Sequence, residues 1–560
     1  MMLKTRIQAE SNEFRFIDWL EEERAFAWNE TGKLNIVYEA VDRWAESSLS
    51  DHTALLFESE NGTESYSYKA LMEWSSRWAN LLAKKGLKNG DRVVLLHPPS
   101  PHWLFAMLGC ARLGIIFCPI PYDIMRPIKA KYIADTKPKA ILTTADMSLD
   151  IPEVIENISL LLYSGKRPGI CKAEIPVEEV VNENSYREPC WVNKDTPLYM
   201  LWVTGINRPY KGIIHGHGDM AGLSGTGKYV LRLGQSSCVW ADMGADNAPG
   251  FLYGFIVPWL LGATAVMQSR SFSPECWYKT VEKNKVSFCY TMSLTLQGLY
   301  YDEKCQPDQF DLSSLSHLAS LGPTIHPDHI FWSKEKLGRT VHETWWTVEA
   351  GIIILANIPT MDLKPNSVGF PLPGVKVAVL DENHDVAPFL TIGELAIKAP
   401  WIGQMLTVWD DAESYKSHFT EDSWFLTGEI ALFDEEGYCY HLGRLDDVIW
   451  FKYRTLGPWE IENIISGYPV INDTAIIAKR GTRSSASISV FVARENKSEP
   501  KDIVCRKIRN FISENFCMKI PVDEVVFLKR IPRNSNGEIQ RDILRIMSMG
   551  LPVGDLVEFE

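Results

Sequence analysis

The chain of 560 residues has an ordinary globular composition, with 46% hydrophobic and 23% charged residues, so it is long enough for a sizeable core and for several domains. Its formal net charge of −14 argues against nucleic acid and anionic membranes as partners, because an acidic surface repels both. The 11 cysteines include no C-x-x-C pair, which is typical of reduced thiols in a cytoplasmic protein, and residues 1–14 contain no apolar secretory signal.

The first part of the chain alternates between helical and extended patterns. Apolar spacing predicts helices over 37–48, 68–86 and 102–114, and short apolar runs predict strands over 91–97, 115–121 and 139–145. This alternation predicts an α/β fold with mostly parallel sheets. Residues 250–267 carry no charge, but Pro258 and three glycines interrupt the run, which predicts buried core in place of a membrane span.

The pattern changes in the last third of the chain. Residues 393–400 and 437–444 are typical of antiparallel strands joined by turns. Beyond Asp446, the predicted elements are a helix over 459–469, strands over 473–480 and 487–495, and a helix over 501–516. The sequence therefore predicts a large N-terminal domain, 1–445, with stacked α/β sheets and a small α+β C-terminal domain, 446–560.

Five stretches occur in an order that is characteristic of one superfamily. They are VTGINRPYKGIIH (203–215), ETWWTVEAG (343–351), WFLTGE (424–429), GRLDDVIWFKYRTLGPWEIE (443–462) and IPRNSNGEIQR (531–541). Together they resemble the adenylate-forming superfamily of acyl-CoA synthetases, peptide-synthetase adenylation domains and luciferases. The resemblance implies an enzyme that makes an acyl-adenylate from a carboxylic acid and ATP. The small C-terminal domain then rotates about a hinge, here Asp446, and coenzyme A attacks the adenylate.

The first stretch resembles the superfamily's phosphate loop, T-S-G-S/T-T-G-x-P-K-G. By this resemblance, the residues that face the phosphates are Thr204, Gly205, Arg208, Lys211 and Gly212. The hydroxyl-bearing centre of the loop is replaced by Ile206 and Asn207, and Arg208 stands where the superfamily has glycine. Hydroxyls and backbone amides bind phosphate oxygens, so these replacements predict weaker binding of a triphosphate, although arginine can bind phosphate itself.

Other positions of the adenylation step also depart from the superfamily. Val348 replaces the threonine that would bond the AMP phosphate, while Glu349 keeps the glutamate that is associated with Mg²⁺. Glu538 stands at the position of the lysine that bridges the carboxylate and the α-phosphate, which reverses the charge there. The motif arginine aligns with Thr455, or with Arg454 after a shift of one residue. The glycine that lets the pantetheine arm pass aligns with Tyr453, or with Lys452 after the same shift.

The adenosine-binding positions are mostly retained. Trp345 matches the aromatic residue that packs on adenine, Glu429 stands in place of the aspartate that binds the ribose hydroxyls, and Arg444 matches an arginine that contacts the ribose. The resemblance assigns the acyl pocket to Trp346, Gly351 and Ala245. Trp346 suggests a short acid, whereas Ala245 lies near a position where relatives often have tryptophan, so the size of the acid stays open.

The expected function is therefore the second half-reaction alone, in which acyl-AMP and coenzyme A give acyl-CoA and AMP, with adenylation lost or weak. Two alternatives stand beside it. One is a complete AMP-forming synthetase in which Arg208, Arg454 or Lys452 replaces the lost groups, and the other is a non-catalytic protein that binds an acyl-adenylate or acyl-CoA. The expected ligands are coenzyme A or a carrier-protein phosphopantetheine, the AMP moiety of an acyl-adenylate, and a weakly held Mg²⁺ at Glu349. The expected partners are a separate adenylating enzyme and a second copy of the chain, with no nucleic acid and no membrane.

Overall fold

The structure is a computed structural model that describes residues 17–26, 31–122, 124, 126–151, 158–171, 173–203, 211–322, 324–445, 447, 449–451, 454–456, 458–468, 470–479, 487–494, 499–515, 520–533 and 539–548. Its strands are β1 (Thr53–Ser59), β2 (Gly62–Ser67), β3 (Arg92–Leu95), β4 (Ile116–Pro119), β5 (Ala140–Thr144), β6 (Leu160–Ser164), β7 (Glu174–Pro176), β8 (Pro197–Val203), β9 (Lys211–Gly216), β10 (Cys238–Ala241), β11 (Thr264–Gln268), β12 (Phe288–Met292), β13 (His317–Leu321), β14 (Val341–Trp345), β15 (Leu355–Ala356), β16 (Phe370–Pro371), β17 (Val377–Leu380), β18 (Gly393–Lys398), β19 (Thr407–Val408), β20 (Trp424–Phe433), β21 (Cys439–Arg444), β22 (Ile449–Phe451), β23 (Arg454–Leu456), β24 (Asp473–Lys479), β25 (Ser487–Ala493) and β26 (Val522–Leu528). Its α-helices are α1 (Trp19–Arg24), α2 (Arg43–Ala45), α3 (Tyr68–Lys84), α4 (Pro101–Arg112), α5 (Arg126–Thr136), α6 (Met220–Tyr229), α7 (Ala248–Phe251), α8 (Val257–Leu260), α9 (Pro274–Asn284), α10 (Ser293–Tyr301), α11 (Pro327–Lys336), α12 (Ala412–Lys416), α13 (Pro458–Ser466), α14 (Lys501–Asn515) and α15 (Arg541–Ser548).

Two large, mostly parallel sheets dominate the first 410 residues, and they confirm the predicted α/β fold. One has nine strands in the order β16-β15-β14-β13-β12-β10-β11-β1-β2, and the other has eight in the order β19-β9-β8-β4-β3-β5-β6-β7. Antiparallel pairs occur toward the ends of both sheets, such as β1 with β2 and β8 with β9. The inner strands are apolar runs because helices cover both faces of a parallel sheet; all five residues of β12 are buried.

Local signals in the sequence begin the helices that pack on these sheets. Ser67 accepts a hydrogen bond from the backbone amide of Ala70 at the start of α3, and Ser100 accepts one from Trp103 at the start of α4, where Pro101 occupies the first turn. Both serines satisfy amides that a helix N-terminus leaves unpaired. The predicted helices over 68–86 and 102–114 therefore correspond to α3 and α4.

The uncharged stretch 250–267 forms several short buried elements. It contains the end of α7, a π-helical turn at Leu252–Ile256, α8 and the start of β11. Tyr253 and Trp259 within it are fully buried. Within the described ranges, no helix is both long enough and apolar enough to cross a membrane.

The later strands form smaller antiparallel and mixed sheets. The predicted strands over 393–400 and 437–444 correspond to β18 and β21, in a four-stranded sheet ordered β17-β18-β20-β21. Strands β24, β25 and β26 form a three-stranded sheet. Both faces of β24 are covered, because Ile476 belongs to one apolar cluster and Ile477 to another, the latter with Leu544 of α15.

The two sides of the predicted boundary are anchored in different ways. The backbone amide of Leu445 donates to the carbonyl of Gly428 in β20, at 2.8 Å. The carboxylate of Asp447 accepts a hydrogen bond from Arg545 of α15, at 2.7 Å, while its backbone amide donates to the carbonyl of Arg444 in β21, at 2.9 Å. The domain division and its hinge at Asp446 stay predictions, and Asp446 lies outside the described residues.

Buried histidines make the stability of this fold dependent on pH. His217 is fully buried, and this burial lowers its pKa to about 3. In the unfolded chain, this imidazole is protonated as the pH falls through about 6.5, whereas in the folded chain it stays neutral. Stability is therefore lost as the pH falls below about 6.5. At pH 5, this one group is expected to cost about 2 kcal/mol.

The His217→Asn variant tests this effect, since an amide oxygen can replace Nδ1, which accepts the Ile36 amide at 3.3 Å. Between pH 7 and pH 5, thermal unfolding should shift less in this variant than in the parent chain. The matched control is His384→Asn, because His384 is exposed and has a positive φ of 64° that asparagine adopts readily. Equal shifts in all three proteins would contradict the prediction.

Candidate functional site

The turn after β14 carries most of the residues that the second motif, 343–351, predicts. Its backbone is fixed, because the amide of Ala350 donates to the carbonyl of Thr347 at 3.1 Å and the amide of Met405 donates to the carbonyl of Glu349 at 3.1 Å. Gly351 closes the turn with a φ of +73°. A Cβ atom there would lie 2.1 Å from the carbonyl oxygen of Gly403 and 2.6 Å from Cε1 of His215. Gly351 is therefore required by close packing under the turn.

A buried histidine holds this turn against the neighbouring sheet. His215 Nε2 lies 2.7 Å from the carbonyl oxygen of Val348 and donates to it, while Nδ1 lies 2.6 Å from the Asp219 carboxylate. His215 is fully buried and stacks on Tyr199 at a centroid distance of 5.0 Å. Burial raises the pKa of Asp219. Nε2 of His215 thus positions Val348, one of the predicted adenylate-binding residues, while Nδ1 holds the ring in place through Asp219.

Of the predicted phosphate-loop residues, the structure describes Lys211 and Gly212, at the start of β9. Nζ of Lys211 lies 2.7 Å from Nε2 of His418, so the ammonium group donates to the neutral imidazole. The ring of His418 stacks on Phe425 at 5.3 Å. Gly212 follows in a crowded place, where a Cβ atom would lie 2.9 Å from Sδ of Met200. This packing fixes one cation where the loop joins the sheet.

The predicted adenosine-binding residues meet at β14, β20 and β21. Glu429 of β20 is paired in register with Arg444 of β21. The Glu429 carboxylate lies 2.7 Å from Nε2 of His441, also in β21. The ring of His441 lies 6.3 Å from that of Trp345, at an angle of 43°. The structure thus brings Trp345, Glu429 and Arg444 together, as the resemblance predicts, and adds His441 between the first two.

Trp346, which is predicted to line the acyl pocket, lies in an aromatic cluster whose members are joined by a chain of hydrogen bonds. Trp346 Nε1 donates to the hydroxyl of Tyr290 at 3.3 Å. The Tyr290 hydroxyl lies 2.6 Å from that of Thr344, which in turn donates to the carbonyl of Ser320 at 3.0 Å. Tyr253 packs edge-on against Trp346, with ring centroids 5.4 Å apart. Both tyrosines are fully buried, so they fix the orientation of the Trp346 indole.

Ala245 lies in a buried connection between β10 and α7. It is 3% exposed, and the next residue, Asp246, accepts a hydrogen bond from the amide of Tyr122 at 3.0 Å. The chain turns back on itself there so tightly that a Cβ atom on Gly250 would lie 1.8 Å from the carbonyl oxygen of Gly244. The role of Ala245 in the acyl pocket stays a prediction.

Several predicted site residues lie outside the described residues. They are Thr204, Gly205 and Arg208 of the phosphate loop, the hinge residue Asp446, the tunnel residues Lys452 and Tyr453, and Glu538. Arg454 is placed only as the first residue of β23. The assignments of the phosphate loop, the coenzyme A tunnel and the adenylation lysine position therefore stay predictions.

Four further residues at the site were missed by the sequence reasoning. They are Tyr290, Glu343, His418 and His441. Glu343 is two residues before Trp345 in β14 and accepts a hydrogen bond from the amide of Ile325 at 2.8 Å. Burial raises the pKa of Glu343 to about 8, so this carboxyl is protonated at neutral pH. Glu343 lies within a quoted motif and His441 lies two residues before another, but only the pairing of strands indicates which side chains they face.

Known proteins are similar to this chain along most of its length. The family described as AMP-binding enzyme matches residues 41–406. An acetyl-coenzyme A synthetase of Bacillus subtilis (strain 168) is 33% identical over 98% of this chain and 96% of its own length. A second one, of Methanothrix soehngenii, is 28% identical over 95% of this chain and 84% of its own length. The crystal structure of the anthranilate CoA ligase AuaEII in complex with anthranoyl-AMP superposes with a TM-score of 0.82, at 20% identity, over 93% of this chain and 98% of that one.

The chain belongs to the AMP-binding enzyme family of adenylate-forming proteins. Within that family it is an acyl-CoA ligase.

The expectation that the chain performs only the thioester-forming half-reaction is wrong. The relatives that match nearly its whole length are named acetyl-coenzyme A synthetases, and these names favour the complete reaction. The error has a physical reason. The expectation rested on individual replacements at residues 206–208 and 538, whereas stabilisation of negative charge depends on the sum of nearby cations and dipoles. The loss of one motif lysine therefore does not remove the activity if other cations reach the phosphates.

Proposed function

We propose that this chain is a complete AMP-forming acyl-CoA synthetase for a short carboxylic acid, with acetate as the first candidate. In the first step, an oxygen of the acid attacks the α-phosphate of ATP, which forms acyl-AMP and releases pyrophosphate. In the second, the thiolate of coenzyme A attacks the acyl carbon, and AMP leaves. The observation that carries the proposal is the 33% identity, over 98% of the chain, to an acetyl-coenzyme A synthetase. A separate adenylating partner is not needed.

The residues around Trp345 support binding of the nucleoside part of ATP. Trp345 provides an aromatic face for adenine. Glu429 provides a carboxylate oxygen that can accept hydrogen bonds from ribose hydroxyls. The neighbouring strand adds the guanidinium group of Arg444.

The first step needs cations, because negative charge accumulates on the phosphates and on the attacking carboxylate. Lys211 supplies one, and its contact with His418 keeps the ammonium group at the start of β9. We assign the remaining positive charge to Arg208, Arg454 or Lys452, which compensate for Glu538. The contribution of each can be separated by single substitutions.

Glu349 is suited to hold Mg²⁺ together with ATP. Among the described residues, none is recorded as hydrogen-bonding to its carboxylate, which is only partly buried. Mg²⁺ prefers one or two carboxylates together with phosphate oxygens and water, so a single glutamate beside a triphosphate fits this preference. When bound, the ion would neutralise charge on the phosphates. The bond from the Met405 amide to the Glu349 carbonyl fixes the backbone that carries this carboxylate.

The direct test supplies acetate, ATP and labelled pyrophosphate, and measures pyrophosphate exchange into ATP. A second assay supplies synthetic acetyl-AMP and coenzyme A, and measures acetyl-CoA. A complete synthetase gives both activities. If a panel of short acids gives no exchange and no acyl-CoA from the free acid, the proposed function is wrong.

Lys211→Ala is expected to lower acid-dependent pyrophosphate exchange by about 100-fold, because the loss of one donor to developing charge has an effect of that order. Formation of the thioester from supplied acetyl-AMP should change far less, since no pyrophosphate has to be stabilised in that step. The ratio of the two rates is the measurement.

The matched control is Lys279→Ala, which removes an exposed lysine of α9 that pairs with Glu275. It should leave both rates near those of the parent chain. Equal losses in both half-reactions of Lys211→Ala would contradict a specific role in adenylation.

A further inference from the structure

The ribose-binding carboxylate of this chain is one methylene longer than the aspartate that the superfamily pattern has there, and the structure shows what restrains it. The backbone around Glu429 is rigid. Gly428 has a φ of +73°, its amide donates to the Glu394 carboxylate at 2.9 Å, and the Glu429 amide donates to the Thr427 hydroxyl at 3.1 Å. The freedom that remains is in the side chain of Glu429 itself.

His441 reaches that side chain because of an irregularity in the pairing of β20 with β21. Ile430 pairs with Gly443, but the next residue, Ala431, pairs with His441, so Leu442 is left without a partner. Such a bulge increases the local twist of the strand and redirects its side chains. Its result here is that Nε2 of His441 lies diagonally across from Glu429 and 2.7 Å from Oε2.

This contact uses one carboxylate oxygen and leaves the other for a ligand. Glu429 Oε2 bonds to His441, and no described residue is recorded as bonding to Oε1. The side chains of Glu429 and His441 are 18% and 14% exposed, so both reach the surface. A glutamate side chain loses conformational entropy when it binds a ligand. A side chain that another residue already holds in place loses less of this entropy.

The same imidazole borders the predicted adenine surface, since its ring lies 6.3 Å from that of Trp345. We propose that His441 is a positioning residue for ATP, which holds Glu429 so that its second oxygen accepts the ribose hydroxyls. His441 thereby compensates for the longer side chain of Glu429, at a position where the superfamily pattern has aspartate. The inference rests on the proposed function, because it needs an adenine nucleotide in this cleft.

The first experiment measures the affinity for AMP by calorimetry and the KM for ATP in the parent chain and in His441→Ala. We expect the AMP affinity to fall and the KM for ATP to rise by about tenfold, as is typical when a hydrogen bond to a charged group is lost. The kcat should change little. Discrimination between ATP and 2′-deoxy-ATP should also decrease, because a carboxylate that is no longer held in place distinguishes the diol less well.

Two further variants separate positioning from simple structural support. In His441→Gln, the side-chain amide can still donate to Glu429, so nucleotide affinity and discrimination should largely recover. In the double variant Glu429→Asp with His441→Ala, the shorter carboxylate does not need the imidazole, and affinity should exceed that of His441→Ala alone. Thermal unfolding of every variant serves as the control for folding.

Unchanged AMP affinity and unchanged 2′-deoxy-ATP discrimination in His441→Ala would overturn the inference. Equal losses in His441→Gln and His441→Ala would do the same. Failure of the proposed function has a different signature, in which the parent chain shows no acid-dependent pyrophosphate exchange. Calorimetry with AMP still tests His441 in that case, since it requires no turnover.

Discussion

Replacement of Trp346 with alanine is expected to shift the acid preference toward longer chains. The indole is held by Tyr290 through a 3.3 Å hydrogen bond and by edge-on packing against Tyr253, so it forms a rigid wall. Its removal opens space for additional methylenes. Because one methylene in an apolar pocket changes kcat/KM by roughly 10- to 200-fold, the ratio of kcat/KM for butyrate to that for acetate should rise by at least about tenfold.

The measurement is acyl-CoA formation from acetate, propionate, butyrate and hexanoate at saturating ATP. Trp191→Ala is the matched control, since Trp191 is a partly buried tryptophan that packs on Tyr38 at 5.1 Å, away from β14. It should retain the selectivity of the parent chain. If the acid profile of Trp346→Ala matches that of the parent, Trp346 does not limit the acyl pocket.

Replacement of Arg112 with alanine is expected to have the largest effect on stability, about 3–5 kcal/mol. Arg112 is 1% exposed and binds both carboxylate oxygens of Asp42, at 2.8 Å and 2.6 Å. It also donates to the hydroxyl of Ser75 and the carbonyl of Arg187. Burial already raises the pKa of Asp42, and removal of the guanidinium group leaves this carboxyl without its cation.

Chemical denaturation with urea measures this loss as a change in the free energy of unfolding. A double variant, Asp42→Ala with Arg112→Met, should lose less than Arg112→Ala alone, because it leaves no unpaired buried charge. Lys131→Ala provides the contrast, since its pair with Asp135 is exposed on α5 and should contribute little. A loss in Arg112→Ala that is no greater than in Lys131→Ala would contradict the argument.

The alternation of apolar patterns was sufficient to predict the fold class. The expected strand over 139–145 corresponds to β5 because a short apolar run is what a covered parallel strand requires. The division of the strands between two large sheets was not predictable in this way. Strand β1 pairs with β11, where Leu55 faces Ala265, and local patterns contain no information on a pairing across 210 residues.

At the candidate site, too, the sequence predicts less than the structure shows. The motif stretches assigned Trp345 and Glu429 to one site, and the structure brings both close to His441, because the resemblance carries three-dimensional information. They did not indicate His441, whose position depends on the bulge at Leu442, nor His418, which meets Lys211 across 207 residues of sequence. The mistaken expectation of a single half-reaction arose similarly. It came from replacements that were considered one at a time, without the charges that surround them in space.

The hydrogen bonds on either side of residue 446 constrain how the last part of this chain can turn. Leu445 is tied to β20 through Gly428, and Asp447 is tied to α15 through Arg545. Asp447 also contacts β21, because its backbone amide donates to the carbonyl of Arg444 at 2.9 Å. We therefore expect that the change of orientation between the two proposed half-reactions breaks one of these two contacts of Asp447.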